Sequence, residues 1–223
     1  MTISQRNDLS LRCIVSTPSG AADTVELPLV IVIHGRGADA NDLADLAPYL
    51  DNGYRFVLPN APRPFEIYSG MTAGFTWFDG WPAERESIAA SRALLLAFID
   101  EVVASYPTPD GKIVISGFSQ GGMMSLDVGF RTERTIAGIV VMSGALYEDE
   151  LPDLRAKKDR QVLLAHGTAD EVIPINAARR TRRVLEDHGI EPEYHEFPIG
   201  HQVSEEELRV VGTFLERVLD ANG

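Results

Sequence analysis

Lys112-Ile113-Val114-Ile115-Ser116-Gly117-Phe118-Ser119-Gln120-Gly121-Gly122 joins a continuous β-branched run to a serine set between two glycines, and a helical pattern over Gly122 to Phe130 follows at once. Gly-x-Ser-x-Gly in that setting puts the serine on a tight strand-to-helix turn. The glycines let the backbone and its neighbours approach closely, and the hydroxyl is pushed out of the sheet. The N-terminus of the following helix offers unpaired N–H groups to a developing negative charge. Without the strand and the helix these five residues would read as an ordinary glycine-rich turn; with both, Ser119 is the candidate nucleophile.

Outward from this turn, other runs of the same kind recur. Leu29 to His34, bounded by Pro28 and Gly35, then Arg55 to Leu58, Ile136 to Met142 and Gln161 to Ala165 all read as strands covered on both faces. Glu193 to Phe197 is a weaker, alternating strand, and Leu11 to Ser16 suits an edge strand. Between them lie helical patterns. Ile88, Ser91, Leu95, Phe98, Ile99 and Val102 recur at three- and four-residue steps, predicting a helix over 87–105 with one apolar face. Ser204 precedes Glu207 at capping-box spacing, Glu205 to Glu207 load the first turn with negative charge, and Leu208, Val211, Leu215 and Val218 form a buried stripe. Strands alternating with helices predict an α/β protein with a mostly parallel central sheet and helices on both faces, because a parallel pair needs a crossover connection. A length of 223 residues suits a single domain over 1–223 with a sizeable core. The least regular stretch, Pro59 to Glu86, is too long for a mere connector and is expected to serve function.

A serine hydroxyl is a weak nucleophile near neutral pH, so it needs a base to take its proton and an acid to orient that base. His166-Gly167-Thr168-Ala169-Asp170-Glu171 follows one predicted strand and Pro198-Ile199-Gly200-His201 the next. Ser119, Asp170 and His201 thus fall in loops beyond strand ends, where open parallel sheets build their sites. Glu171 competes with Asp170 for the role of acid. Among the other histidines, His188 and His195 read as surface residues, while His34 and His166 each end a strand before glycine and are expected to shape loops. His34-Gly35-Arg36-Gly37 lies after the first buried strand, so the expected oxyanion-hole donors are the backbone N–H groups of Arg36 and Gln120. Phe65, Tyr68, Met71, Phe75, Trp77, Phe78 and Trp81 form an aromatic-rich cluster in the irregular stretch. Of these, Phe75, Trp77, Phe78 and Trp81 are the candidate substrate-binding residues, the competing reading being satellite core. The Arg36 side chain is expected to pair with Asp39 or Asp42, or else to meet a carboxylate or phosphate on the substrate.

Composition excludes several classes. Twenty Lys and Arg against 33 Asp and Glu leave a net charge of −13, which repels phosphate backbones and anionic membranes. No nucleic-acid partner is expected, and Arg179-Arg180-Thr181-Arg182-Arg183 reads as a solvated helix face. No apolar run approaches the roughly 18–20 residues needed to span a bilayer, so no stable membrane insertion is expected. The N-terminus lacks the apolar core of a signal peptide. With Cys13 as the single cysteine there is no internal disulfide or cysteine-based zinc site, and a reducing, cytoplasmic setting is expected. No metal-ligand spacing, calcium loop, P-loop or Gly-x-Gly-x-x-Gly is present, so neither a metal nor a nucleotide is expected.

Six stretches resemble, in order, the small carboxylesterases and lysophospholipases of the α/β-hydrolase fold, the group that includes the acyl-protein thioesterases. They are His34-Gly35-Arg36-Gly37, Pro59-Asn60-Ala61-Pro62, Trp77-Phe78-Asp79, Gly117-Phe118-Ser119-Gln120-Gly121-Gly122, His166-Gly167-Thr168-Ala169-Asp170 and Gly200-His201. The resemblance implies a compact hydrolase without a large lid domain, often a homodimer, that cleaves a small-molecule carboxylic ester or thioester with no cofactor. Ser119, Asp170 and His201 also stand in the chain order of that fold's triad. The alternative is a catalytically silent protein of the same fold that binds a small apolar ligand; a lysophospholipase or protein thioesterase would be a specialisation of the same site.

Overall fold

A computed structural model describes residues 1–50, 53–68, 70–80, 83–147 and 150–220. Ten strands fall among them: β1 (Thr2–Arg6), β2 (Cys13–Thr17), β3 (Leu29–Ile33), β4 (Arg55–Pro59), β5 (Arg63–Tyr68), β6 (Met71–Thr76), β7 (Ile113–Phe118), β8 (Gly138–Met142), β9 (Gln161–Gly167) and β10 (Glu193–Phe197). Eight form one sheet in the order β1-β2-β4-β3-β7-β8-β9-β10. From β4 to β10 every pairing is parallel; β2 alone runs against its neighbours. The mostly parallel sheet expected from the strand and helix rhythm is therefore present.

Helices cover both faces, and the register of the strands says why. In β3, Leu29, Ile31 and Ile33 face a layer containing Ile88, Leu95, Phe98, Ile99 and Val102 of α2 (Arg85–Ser105) and Met124, Leu126, Val128 and Phe130 of α3 (Gln120–Arg131). Leu185 of α4 (Ile175–Asp187) belongs to the same layer. Val30 and Val32 face the other layer, with Ala47 and Leu50 of the short α1 (Ala47–Leu50) and Val211, Phe214 and Leu215 of α5 (Glu205–Leu215). Successive side chains on opposite faces of a doubly covered sheet must both be apolar, which is the run read in the sequence. Across the α2–α3 seam Asp127 accepts from Arg92 Nε at 2.6 Å and from Arg131 Nε at 3.0 Å, a buried carboxylate with both oxygens engaged.

Three features depart from the sequence reading. The edge strand is β1, not Leu11 to Ser16; that segment became β2, buried along its whole length between β1 and β4. All five residues of β1 have polar or exposed surroundings, so no apolar pattern marked it. The irregular stretch holds an antiparallel hairpin, β5 with β6, whose register shifts twice between Pro64 and Tyr68. Bulged pairing breaks the two-residue alternation by which a strand is recognised. The helix boundaries moved little: α2 begins two residues earlier than the expected 87–105.

Candidate active site

β7 delivers the serine. Ser119 sits at φ 56°, ψ −120°, a strained left-handed backbone for a residue with a Cβ, and its N–H donates to the Met142 carbonyl at the end of β8 at 2.8 Å. The turn closes so tightly that a Cβ on Gly121 would lie 2.0 Å from the Ile33 carbonyl oxygen, and one on Gly117 would lie 2.4 Å from the Gly121 carbonyl. Both glycines of the motif are thus required by approach distance.

His201 lies in the loop between β10 and α5. Its Nδ1 stands 2.7 Å from Asp170 Oδ2 and its Nε2 stands 2.8 Å from Ser119 Oγ. Because Asp170 accepts at Nδ1, the proton resides there and Nε2 is left to accept from the serine hydroxyl. Phe118 packs beside the imidazole, ring centroids 4.9 Å apart. Asp170 is buried, which by itself would raise its pKa. The hydrogen bond from His201 and the N–H groups of Ile173 (2.8 Å) and Val172 (2.9 Å) outweigh that burial and hold the carboxyl below its ordinary value. Glu171, the competing acid, is exposed.

The other histidines have separate occupations. His34 accepts from the Ala61 N–H at Nε2 (3.0 Å), so Nδ1 carries the proton and donates to the Gly35 carbonyl (2.7 Å); burial lowers its pKa. His166 donates from Nε2 to the Ile173 carbonyl at 2.7 Å, bracing the turn that carries Asp170. His195 pairs with Glu193 on β10, and His188 contacts the Val184 carbonyl at the end of α4.

Among the described residues the backbone N–H groups of Arg36 and Gln120 donate to no protein acceptor, and both residues line a cavity of about 260 Å³ that opens on Ser119. Among the described residues Phe78, Gly80, Met123, Val172 and Ile173 also line it. A second cavity of about 370 Å³ shares Ser119 and Arg36 and is lined by Phe118, His201, Gln202, Val203 and Asp42 among others.

The aromatic expectations divide. Phe78 is on the cavity wall. Trp77 is instead fully buried: its indole N–H donates to the His34 carbonyl at 2.8 Å, so it is core under the site, for which its indole donor gave a partner to find. Phe75 is half-buried against the same core and is not on the cavity wall. Trp81 lies outside the described residues.

One contribution had no sequence signal. The Gln120 side chain accepts from the Trp77 N–H (2.8 Å) and the Thr76 hydroxyl (3.2 Å) and donates to the Phe78 carbonyl (2.8 Å), tying the cavity wall to the residue beside the nucleophile. Met123 and Ile173 could have been found by counting one helical turn past Ser119 and three residues past Asp170.

A sheet of this order, with a strained serine at the tip of a central strand and an acid and a histidine beyond the next strand ends, defines an α/β-hydrolase. The chain belongs to the phospholipase/carboxylesterase family, whose profile matches residues 20–219. It is a hydrolase of the carboxylic-ester class. Over 95% of this chain and 98% of the relative it is 31% identical to acyl-protein thioesterase 1 of Mycosarcoma maydis, and it is 27% identical over 74% of the chain to carboxylesterase SOBER1 of Arabidopsis thaliana, covering 77% of that protein. Among solved structures it is similar to esterase PE8, with a TM-score of 0.76, 30% identity and coverage of 92% of this chain and 99% of that one. A carboxylesterase from Mesorhizobium loti superposes with a TM-score of 0.82 at 20% identity over 96% of this chain and 98% of its own, a likeness of fold.

Proposed function

We propose that the protein hydrolyses carboxylic esters or thioesters through an acyl-Ser119 intermediate. The observation that carries this reading is the chain Ser119–His201–Asp170, closed by contacts of 2.8 and 2.7 Å. His201 Nε2 takes the hydroxyl proton as Ser119 Oγ attacks the carbonyl carbon. The new oxyanion meets the free N–H groups of Arg36 and Gln120, donors of a kind worth several kcal/mol. Collapse expels the alcohol or thiol, which takes the proton from His201 and leaves the acyl-serine. Water then repeats the sequence, giving its proton to His201 while its oxygen attacks the acyl carbon; collapse frees the acid and returns the proton to Ser119. Asp170 holds the imidazole in its Nδ1–H tautomer and stabilises the imidazolium.

Phe78, with Met123 and Ile173, is the proposed apolar contact for the acyl group, and Phe75 is off the cavity wall. Residues 1–223 act in this reading as one domain, in the cytoplasm, where a lone buried thiol such as Cys13 is at home. Homodimerisation is the last part of the proposal, and sedimentation equilibrium tests it. The names of the thioesterase relatives favour an acylated thiol among the substrates.

Hydrolysis of p-nitrophenyl esters of increasing acyl length by the wild type and by Ser119→Ala is the decisive assay. The wild type should turn over the shorter esters and the variant should lose at least about a thousandfold in kcat. Equal activity in the two proteins would remove Ser119 as nucleophile. An inert wild type would favour the ligand-binding alternative.

A further inference from the structure

We infer that the Arg36 guanidinium is an anion-recognition group for the acyl side of the site, so that the preferred substrates are esters or thioesters whose acyl group carries a carboxylate. The inference rests on the esterase reading above and narrows its substrate class.

Arg36 is exposed, yet its side chain is placed: the guanidinium carbon lies 4.6 Å from the centroid of the Phe65 ring. Stacking on an aromatic face orients the planar fork while leaving its N–H edge free. Among the described residues no carboxylate pairs with it. The two expected partners are engaged elsewhere: Asp39 Oδ1 accepts from the Asn41 backbone and side-chain nitrogens at 2.7 and 2.9 Å, and Asp42 Oδ2 accepts from the Asp39 N–H at 2.8 Å. In a chain with a net charge of −13, a fixed cation at the nucleophile without an acidic partner is a local exception to a repulsive field.

Arg36 lines both cavities, and it is their other walls that point to which half of the substrate meets it. The leaving atom must be reached by His201, so the alcohol or thiol occupies the cavity lined by His201, Gln202 and Val203, and the acyl group occupies the other. Asp42 lines the leaving-group cavity, where a second anion would be repelled. Arg36 is the one charged residue of the acyl cavity among the described residues; the rest of its wall is Phe78, Gly80, Ser119, Gln120, Met123, Val172 and Ile173. At about 260 Å³ this space suits a short acyl chain, which brings a terminal carboxylate to the rim where a bidentate guanidinium contact is made.

The test compares monomethyl glutarate with methyl pentanoate, which match in chain length and differ in the terminal carboxylate, by acid release at constant pH. The ratio of kcat/KM for the charged over the neutral ester should fall at least about tenfold from wild type to Arg36→Met, be partly regained in Arg36→Lys, and fall further in Arg36→Glu. Using the ratio cancels any general effect of the substitution on the oxyanion hole. If the wild type cleaves methyl pentanoate and the ratio is the same in all four proteins, the Arg36 assignment fails and the esterase reading stands. If the wild type cleaves neither these esters nor the p-nitrophenyl series, both fall. An Arg36-dependent preference found only with the anion on the alcohol side, as in 2-(butanoyloxy)ethyl phosphate against ethyl butanoate, also overturns the acyl-side assignment.

Discussion

Ser119, Asp170 and His201 come from three loops, and Gln120 joins them to the cavity wall. Removing the amide in Gln120→Ala strands the Trp77 N–H in the interior, where an unpaired group costs roughly 1–3 kcal/mol, while the Phe78 carbonyl keeps the Thr76 hydroxyl at 2.8 Å. The variant should unfold at lower temperature in a thermal melt and show a raised KM for p-nitrophenyl esters, because residues 76–78 lose one of their ties, the one to the nucleophile's neighbour, while Ser119 and His201 keep theirs. At this scale the candidate residues that the structure brings together were readable before the fold. Loop residues of the right type, in the right order after strands, indicated Ser119, Asp170 and His201. For Trp77 the sequence left substrate contact and satellite core both open, because an aromatic in an irregular stretch gives no clue to its orientation: its partner, the His34 carbonyl, is 43 residues away. The role of the Gln120 amide was invisible for the same reason.

Among the elements, α5 holds an unusual carboxyl. Glu207 is 1% exposed, and its capping-box contact with the Ser204 N–H at 3.4 Å is long. Burial outweighs that contact and pushes the pKa from the ordinary 4.5 up to about 7. The folded state therefore binds the proton more tightly than the unfolded chain. The resulting stability is complete below about pH 4.5 and is lost as pH rises through about 7. Glu207→Gln keeps the cap and removes the ionisation. It should match the wild type in thermal midpoint near pH 4.5 and exceed it at pH 8, by up to about 3 kcal/mol in urea titration. Equal pH slopes in the two proteins would contradict this. The capping signature was legible because Ser204 and Glu207 are local to one another, as was the apolar step of α2. The β5–β6 hairpin was not, since its bulges erase alternation, and β1 was not, since it faces solvent.

For the molecule as a whole, the net charge of −13 is the dominant electrostatic fact. Surface ion pairs such as Arg134 with Asp100 (2.6 Å) or Arg182 with Glu186 (2.6 Å) contribute little each, so screening them forfeits little. Screening the excess negative charge relieves repulsion across the compact state. Raising NaCl from low salt to about 0.5 M should therefore lift the thermal midpoint by roughly 2–4 °C per kcal/mol gained. A midpoint that falls would mean the ion pairs outweigh the repulsion. The layered architecture was legible at this scale because alternate residues of β3 serve opposite layers, leaving the strand apolar throughout. The strand order was not, because which runs become neighbours depends on crossovers that no local pattern encodes.

The backbone of Ser119, held at φ 56°, has a last consequence for anyone evolving this protein in the laboratory. Glycine adopts that conformation without the cost of a Cβ, of order 1–3 kcal/mol. Ser119→Gly should melt higher than its parent while hydrolysing no ester. A library screened for survival of heating alone would enrich that inert variant, so each round of selection must also demand turnover.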